Sequence, residues 1–327
     1  MPNRMITTTQ KMINNTEHTS LNGWQRVRLE IIWGLCRLIA AMPYWFQYYV
    51  LQEFIYAVLR CLRYRYKTIT ANLHNSFPDK SDGEIRKIRH HFYSNLAEMV
   101  VNTIVQARMS DEECRRRLQF DDNEHIKAII GDNACIALTS HLGCWEFYGF
   151  WGMWLPNHLL VAVYHKIHNP VIDELYKRLR DHSCELPVAA HESLRFFMRY
   201  RKGYEGRNIV MGLISDQNPP RYSDSHWFRF LNQDTIFFEG GEQLALKYRL
   251  PLFYATQYKV RRGYYRAKFT LIYDGGEPLA PHEITERYVR LLEKDIQDRP
   301  EMWMWSHKRW KHRRGEDYQP VERSTNY

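Results

Sequence analysis

The chain has 327 residues, 44% of them hydrophobic, so it can bury a core and is neither fibrous nor disordered as a whole. Its net charge of +9 at pH 7 favours anionic partners, namely nucleic acid, anionic lipid or an acidic carrier protein. The 6 cysteines form no CxxC pair and no Cys/His spacing suited to zinc, so we predict unpaired, reduced thiols in a cytosolic setting and no metal site.

The first 66 residues divide into a polar lead and an apolar, aromatic stretch. Residues 1–23 lack the apolar segment and cleavage site of a signal peptide, and we predict a disordered lead. Residues 24–66 are interrupted by Arg37 and Pro43, and no unbroken apolar run approaches the roughly 20 residues that span a bilayer. We therefore predict an amphipathic, membrane-associating helical hairpin bent at Pro43; the alternative is a core hairpin with a solvated basic end. The basic residues placed to meet anionic headgroups are Arg60, Arg63, Arg65 and Lys67.

Connecting helices follow this stretch. Residues 64–78 are predicted to form a short helix that stops before Pro78, and Ser81 or Asp82 is predicted to cap a long helix over 83–108. Glu98 on that helix is predicted to lie at the surface or to pair helices, and not to catalyse.

A buried strand followed by a histidine and an acid marks the candidate catalytic centre. Residues 135–140 form an apolar run that ends in two hydroxyl side chains, which is typical of a buried parallel strand. His141 then lies at a strand end, and Glu146 lies in the first turn of a helix predicted over 145–154, where the helix dipole favours a carboxylate. We predict that Glu146 bonds one ring nitrogen of His141 while the other faces the crevice at the strand ends. This is a base oriented by an acid, and it requires no protein nucleophile if the substrate brings a hydroxyl. The alternative is a histidine that only caps the helix and a glutamate that only responds to its dipole.

Strands and helices alternate through the rest of the chain. The predicted elements are strands over 159–164 and 209–214, helices over 170–181 and 193–201, and an edge hairpin of strands over 251–260 and 264–273. This rhythm predicts an α/β fold, a single domain with a central mixed, largely parallel β-sheet flanked by helices. We place this domain at residues 67–314 and a tail at 315–327.

Polar residues follow the strand over 209–214 as His141 follows the first strand. Asp216 and Gln217 are therefore predicted to share the crevice, where they position a substrate hydroxyl or bind a sugar; the alternative is an Asx turn ahead of two prolines. Further on, Gly240 and Gly241 precede a helix start whose backbone N–H groups are candidates for stabilising an oxyanion or a phosphate.

The segment 300–314 interleaves tryptophans with basic residues, and Glu301 is its one acid. This pattern fits a phosphorylated lipid headgroup, the acidic helix of a carrier protein, or single-stranded nucleic acid. The alternative is that the tryptophans anchor the core and the basic residues form a solvated face.

Taken together, these segments resemble the lipid A biosynthesis acyltransferases, the late acyltransferases of Kdo2-lipid A in the lysophospholipid acyltransferase superfamily. The resemblance covers residues 24–314. The segments that carry it, in the order of the family, are YRYKTITANLHNSFP, TSHLGCWE with its His-x4-Glu box, YHKIHNPVIDELYKRLR, ISDQNP, FLNQDTIFFEGGEQLALKYRLPLFYA and PEMWMWSHKRWKHR. Cys144, where the family usually has Asn, and the pair Gly241 and Glu242 depart from the pattern, whereas His141 and Glu146 match it.

The resemblance implies an O-acyltransferase that moves a fatty acyl chain from an acyl thioester to a hydroxyl of a lipid A precursor, without a metal or a cofactor. It implies a donor on acyl carrier protein or coenzyme A, and a peripheral position on the cytoplasmic face of the inner membrane of a Gram-negative bacterium. It places the catalytic pair at His141 and Glu146. The candidates for substrate binding are Arg180, Asp216, Gln217, Thr235 and Arg309.

We expect direct transfer in a ternary complex. His141 takes a proton from the acceptor hydroxyl as that hydroxyl attacks the thioester carbonyl, and Glu146 holds the imidazole tautomer. Two other hypotheses stay open: the same chemistry on an aminolipid, lysophospholipid or glycolipid, and a non-catalytic basic surface that binds a membrane or nucleic acid. The second leaves a histidine and an acid at a strand end unexplained, so we favour the enzyme and expect no nucleic-acid partner.

Overall fold

The strands of the protein include long apolar runs that the sequence predicts and short strands that it does not. The computed structural model describes residues 21–180, 185–221 and 225–315. Its strands are β1 (Leu118–Phe120), β2 (Cys135–Thr139), β3 (His158–Tyr164), β4 (Glu185–Ala189), β5 (Asn208–Ile214), β6 (Phe228–Phe230), β7 (Gln233–Thr235), β8 (Leu252–Arg261) and β9 (Tyr264–Tyr273). Strands β1, β6 and β7 were not predicted because they have three residues each, and β4 was not because Pro187 interrupts its pattern.

In the described part of the chain, a seven-stranded sheet has the order β1-β9-β8-β2-β5-β3-β4, and β6 pairs with β7 in a separate ribbon. All neighbouring strands of the large sheet are parallel except β8 and β9. The predicted single α/β domain with a mixed, largely parallel sheet is thereby confirmed. The hairpin of β8 and β9 is confirmed too, but its predicted edge position is wrong because β1 flanks β9 and β2 flanks β8.

Helices surround this sheet, and most of them lie where the sequence predicts helices. The helices are α1 (Gly23–Ala40), a π-helical turn (Phe46–Leu51) that continues as α2 (Gln52–Cys61), α3 (Tyr66–Ser76), α4 (Asp82–Val105), α5 (Asp111–Arg117), α6 (Asn123–Ile130), α7 (Pro170–Leu179), α8 (Ala190–Tyr200), α9 (Gly240–Tyr248) and α10 (Glu283–Asp298), with 3₁₀ segments at Gln106–Arg108, Trp145–Trp154 and Pro300–Met302. Ser81 caps α4 through the Glu84 amide, as one of the two predicted alternatives. The segment Trp145–Trp154 is a 3₁₀ helix and not the expected α-helix, and α10 was not predicted.

Strand β2 is the centre of the fold, and all five of its residues are buried. Its side chains alternate between two cores: Ile136 and Leu138 pack on one face of the sheet, and Cys135 and Ala137 on the other. A strand covered on both faces needs no polar side chains, which explains its unbroken apolar sequence. The carboxyl ends of β2 and its parallel neighbour β5 therefore emerge together at one edge.

Two helical arms form the N-terminal part of the described chain and meet around Pro43, as predicted. The hydroxyl of Tyr48 donates to Asn102 Oδ1 at 2.7 Å and ties the second arm to α4. Large apolar side chains on both arms are exposed: Trp24, Val27, Ile31, Leu35 and Leu38 on the first, and Trp45, Tyr49, Val50, Phe54, Val58 and Leu62 on or next to the second. Within residues 21–180, 185–221 and 225–315, no helix combines the length and the apolar character needed to cross a membrane.

Glu98 has a structural position that the sequence did not show. Its carboxylate accepts bonds from the Gly263 amide at 2.9 Å, the Tyr265 hydroxyl at 2.7 Å and the Lys259 ammonium at 3.1 Å. The predicted surface position is wrong: Glu98 is buried and joins α4 to the hairpin of β8 and β9. The predicted lead before residue 21, the tail after residue 315, and Cys184 lie outside the described residues.

Candidate active site

The pairing of β2 with β5 brings two predicted site residues together. The strands are parallel, with Thr139 opposite Ile214, and the Ser215 amide donates to the Thr139 carbonyl at 3.1 Å. His141 and Asp216 each come two residues after their strand ends. They therefore lie side by side at the carboxyl edge of the sheet, as the shared-crevice prediction required.

Asp216 is the carboxylate that holds His141. Oδ1 of Asp216 lies 2.7 Å from the ring Nδ1, and Oδ2 accepts the His141 main-chain amide at 3.0 Å. The indole Nε1 of Trp303 donates to the same Oδ2 at 2.7 Å. Asp216 is only 1% exposed, and its burial alone would raise its pKa. The charge and ring hydrogen bond of His141, with the bonds from Trp303 and the His141 amide, outweigh this burial and lower the pKa of Asp216 below its ordinary value.

An ionised Asp216 fixes the tautomer of His141. Nδ1 must carry the hydrogen in order to donate to the carboxylate, so a neutral imidazole has its lone pair on Nε2. That nitrogen lies 3.2 Å from the side-chain amide nitrogen of Gln217, and the ring packs edge-on against Trp145. His141 is thus an oriented base whose reactive nitrogen meets Gln217.

Glu146 has a different partner from the predicted one. Arg180 donates to both of its oxygens, from Nε at 2.9 Å and from Nη2 at 3.1 Å. Burial opposes the charge of Arg180, but Glu146 outweighs it and raises the pKa of the guanidinium. The two ring nitrogens of His141 bond to Asp216 and Gln217, so the predicted bond between His141 and Glu146 is wrong. The 3₁₀ segment that carries Glu146 places it beside Arg180, the C-cap residue that follows α7.

These residues open onto one large cavity of about 1090 Å³. His141, Glu146, Arg180 and Gln217 line it, and so do Gly240 and Gly241 at the start of α9. Apolar residues supplied by β2, β3 and β5 form much of its wall: Ala137, Leu160, Ala162, Val163, Met211 and Leu213. A mostly apolar cavity with a few convergent polar groups is typical of a small-molecule or lipid-chain site.

Two predicted substrate-binding residues lie away from this cavity. Arg309 is fully buried and donates to Thr235 Oγ1 at 2.5 Å and to the Ile236 carbonyl at 2.8 Å. Burial lowers the pKa of Arg309 to about 10, although Asp216 and Tyr288 favour its charge. Thr235 and Arg309 thus bond to each other in the core and do not line the cavity, and their predicted contact with substrate stays a prediction.

The C-terminal tryptophans also have structural positions. Trp303 and Trp305 are buried, as in the alternative that treated them as core anchors. The basic residues that stay exposed are Lys308, Lys311, Arg313 and Arg314. The contact of Trp303 with Asp216 was missed because nothing in the local sequence shows which distant carboxylate an indole meets.

The turn that begins at His141 depends on one glycine and on the same C-terminal segment. Gly143 has φ +74°, a backbone conformation that side chains with a Cβ rarely adopt. Its amide donates to the Met302 carbonyl at 3.1 Å, and the Met304 amide donates to the His141 carbonyl at 3.1 Å. The residues around His141 are therefore held by a segment about 160 positions further along the chain.

The cysteines and acids of the described residues show no metal-binding arrangement. No group of three or more His, Cys, Asp or Glu in this part of the chain is placed to hold a metal ion. The thiols without a disulfide partner there include Cys36, Cys61, Cys135 and Cys144. Burial raises the pKa of the Cys144 thiol, which lies three residues after His141, so this thiol is not an activated nucleophile.

Comparison with known protein families gives a match over most of the chain. The sequence profile of a protein family described as "Bacterial lipid A biosynthesis acyltransferase" matches residues 20–312. A comparison with curated proteins found no match. The matched residues include the exposed helical arms, both strand ends, the cavity and the C-terminal tryptophans.

Proposed function

Because the chain belongs to the bacterial lipid A biosynthesis acyltransferase family, it is an acyltransferase for lipid A-like substrates, and we propose that His141 is its general base. In this proposal it moves a fatty acyl chain from a thioester to a hydroxyl of a lipid A precursor. One observation carries the assignment: His141 is fixed by a buried carboxylate through Nδ1 and lies at the wall of a large apolar cavity. The proposed base therefore lies next to a cavity that has space for an acyl chain.

The proposed reaction needs no acyl-enzyme. Nε2 of His141 takes the proton of the acceptor hydroxyl as its oxygen attacks the thioester carbonyl carbon. The carbon–sulfur bond then breaks, and the leaving thiolate receives the proton from the imidazolium. Asp216 stabilises the imidazolium between these steps, which is the role that the sequence assigned to Glu146.

Donors at the cavity wall support the negative charge that develops on the carbonyl oxygen. The candidates are the Gln217 amide, the Arg180 guanidinium and the backbone N–H groups of Gly240 and Gly241, because all of them line the same cavity. Gln217 lies 3.2 Å from Nε2, so an acceptor hydroxyl that donates to Nε2 must displace it. Its released amide is then free to meet either the hydroxyl or the oxyanion.

Glu146 acts through Arg180 in this proposal. A carboxylate with both oxygens on one guanidinium fixes that guanidinium in a single orientation. Arg180 then presents a cation at the cavity wall, where a phosphorylated acceptor or the thioester oxygen arrives. Glu146 is thus a positioning residue for a charge and not the partner of the base.

We also propose peripheral association with the cytoplasmic face of the inner membrane, with acyl carrier protein or coenzyme A bringing the thioester. The exposed apolar side chains of the two N-terminal arms support membrane contact. Arg60, Arg63, Arg65 and Lys67 are exposed next to them and suit anionic headgroups. A position on the membrane gives the enzyme direct access to a lipid acceptor.

Mass spectrometry of lipid A tests the proposal. A strain lacking this protein is rescued with the wild type, with His141→Ala, or with His191→Ala, a control at an exposed histidine on α8. We expect lipid A to lose one acyl chain in the deletion strain and to regain it with the wild type and the control alone. Rescue by His141→Ala would refute the assignment of the base. Unchanged lipid A would move the acceptor to another membrane lipid, such as an aminolipid, lysophospholipid or glycolipid.

A further inference from the structure

The C-terminal tryptophan segment has a role that lipid binding does not explain. Trp303 is buried, and its indole N–H donates to Asp216 Oδ2 at 2.7 Å. The same oxygen accepts the main-chain amide of His141 at 3.0 Å. Trp303 therefore contacts the carboxylate that orients the base, through the oxygen that does not bond to the ring of His141.

The backbone around Trp303 also holds the turn that begins at His141. Leu142 and Trp303 form an antiparallel bridge, the Gly143 amide donates to the Met302 carbonyl, and the Met304 amide donates to the His141 carbonyl. The indole thus contacts Asp216, and the backbone around it contacts three consecutive residues, His141, Leu142 and Gly143. A tryptophan that served only as a core anchor would not need to donate to the buried acid.

The segment itself is anchored to the helices of the N-terminal half. The Asn72 amide donates to the carbonyls of Trp305 and His307, both at 2.9 Å. The Asn95 amide donates to the Glu301 carbonyl at 3.0 Å. With the chain held on both sides of position 303, the indole has a fixed position relative to Asp216.

We propose that Trp303 is a positioning residue for acyl transfer, and that its indole N–H fixes the carboxylate of Asp216 so that Asp216 orients His141. This inference rests on the proposed function of His141. The carboxylate is buried and its described donors are two nitrogens of His141 and one of Trp303, so the loss of the indole donor removes a third of its hydrogen bonds. Oδ2 then keeps only the main-chain amide, and the carboxylate is free to rotate away from Nδ1.

Trp303→Phe in the purified full chain tests this role, because phenylalanine fills much of the space and donates nothing. We expect turnover to fall roughly 10-fold or more, the effect of losing one bond to a charged group, with little change in KM because Trp303 does not line the large cavity. The acid limb of the pH–rate profile should move to lower pH, because a carboxylate that rotates away from Nδ1 stabilises the imidazolium less. The matched control is Trp305→Phe: Trp305 is also buried, but its indole donates to the Pro300 carbonyl, and near-normal turnover is expected.

A second variant separates the hydrogen bond from packing. It carries β-(3-benzothienyl)alanine at position 303, which keeps a bicyclic ring but replaces the N–H with sulfur, and it decides the matter if Trp303→Phe does not fold. The same fall in turnover and the same pH shift would support the proposal. Wild-type turnover and pH profile in a folded variant, with His141→Ala inactive in the same assay, would overturn this inference and leave the proposed function standing. Full activity of His141→Ala would overturn both.

Discussion

The two carboxylate oxygens of Asp216 each hold a different nitrogen of His141. Oδ2 accepts the main-chain amide at 3.0 Å, and Oδ1 lies 2.7 Å from the ring Nδ1. The bond to the main-chain amide fixes the position of the His141 backbone, and the bond to Nδ1 fixes the orientation of the ring. The position and the tautomer of the base therefore depend on the same side chain.

Asp216→Asn should abolish most of the activity while keeping the fold. An amide in this place no longer favours the imidazolium and can hold the wrong tautomer, so we expect turnover to fall by about 10²- to 10⁴-fold. Steady-state kinetics of the purified protein measures the loss. Asp298→Asn is the control, because Asp298 lies at the exposed end of α10 and pairs only with Lys294 across 3.5 Å among its described contacts. Equal losses in both variants would contradict the assigned role of Asp216.

The stability of the protein should depend on the ionisation of Asp216. Burial alone would raise its pKa, but the bonds from His141 and Trp303 lower it below the ordinary value of 3.8. Folding therefore favours the ionised form, and this stabilisation is present above the unfolded pKa and is lost as the pH falls through the folded one. Thermal unfolding of the wild type and Asp216→Asn between about pH 6 and about pH 3 measures it. The difference in Tm should shrink at the acid end, and a constant difference would show that Asp216 is not ionised in the folded protein.

Glu146 and Arg180 should behave as a unit. Glu146→Ala leaves a largely buried guanidinium without its two carboxylate bonds, so we expect a folded protein that is less stable by about 3 kcal/mol, the lower end for a buried pair because Arg180 keeps some solvent contact. We expect turnover to fall about 10²- to 10⁴-fold. Adding Arg180→Ala should cost much less in that background than it does alone.

The pH–rate profile separates this pair from the base. Since Glu146 does not bond to His141, its replacement should leave the acid limb of the profile in place, unlike Asp216→Asn. A double-mutant cycle with additive losses would show that the two residues act independently. A shifted acid limb in Glu146→Ala would return Glu146 to the role that the sequence suggested.

The N-terminal arms should bind membranes through their apolar side chains. Ile31 is 59% exposed on α1, and Ile31→Glu should weaken binding to anionic vesicles several-fold, because it adds a charge where an apolar side chain is expected to insert. Co-sedimentation with vesicles rich in phosphatidylglycerol measures the binding. Leu271→Glu is the control, since Leu271 is 38% exposed and pairs with Phe253, at the end of the β8–β9 hairpin opposite to Arg262, which contacts the second arm. Equal binding by the two variants would place the membrane contact elsewhere.

The sequence predicted that His141 and Asp216 lie close together because both follow the ends of apolar strands. Apolar runs identified β2 and β5, and a parallel pair delivers its following residues to one edge whatever their side chains are. The equal offset of His141 and Asp216 from these strands was the available signal for their contact. This offset predicts that the two residues share a crevice, but it does not by itself predict a hydrogen bond between them.

The predicted contacts that differ from the structure share one cause. A sequence pattern relates residues that are close in the chain, whereas contacts form between residues that are close in space. Glu146 is five positions from His141, but a 3₁₀ segment turns it toward Arg180. Arg309 looked like a ligand for phosphate because it lies among basic residues, yet tertiary packing buries it against Thr235. Local patterns give the period of an element but not the direction in which a tight turn sends one side chain.

The meeting of His141, Asp216 and Trp303 has a consequence for how the enzyme is made. The acid lies 75 positions from the base, and the indole another 87 positions further on. A nascent chain that has been translated as far as β8 already contains the base and its acid, but the tryptophan has not yet been synthesised. Closure of such remote contacts is slow compared with local folding. We therefore expect ribosome-bound chains to remain weak catalysts until position 303 has left the exit tunnel, so that activity begins only after the two N-terminal arms are long complete.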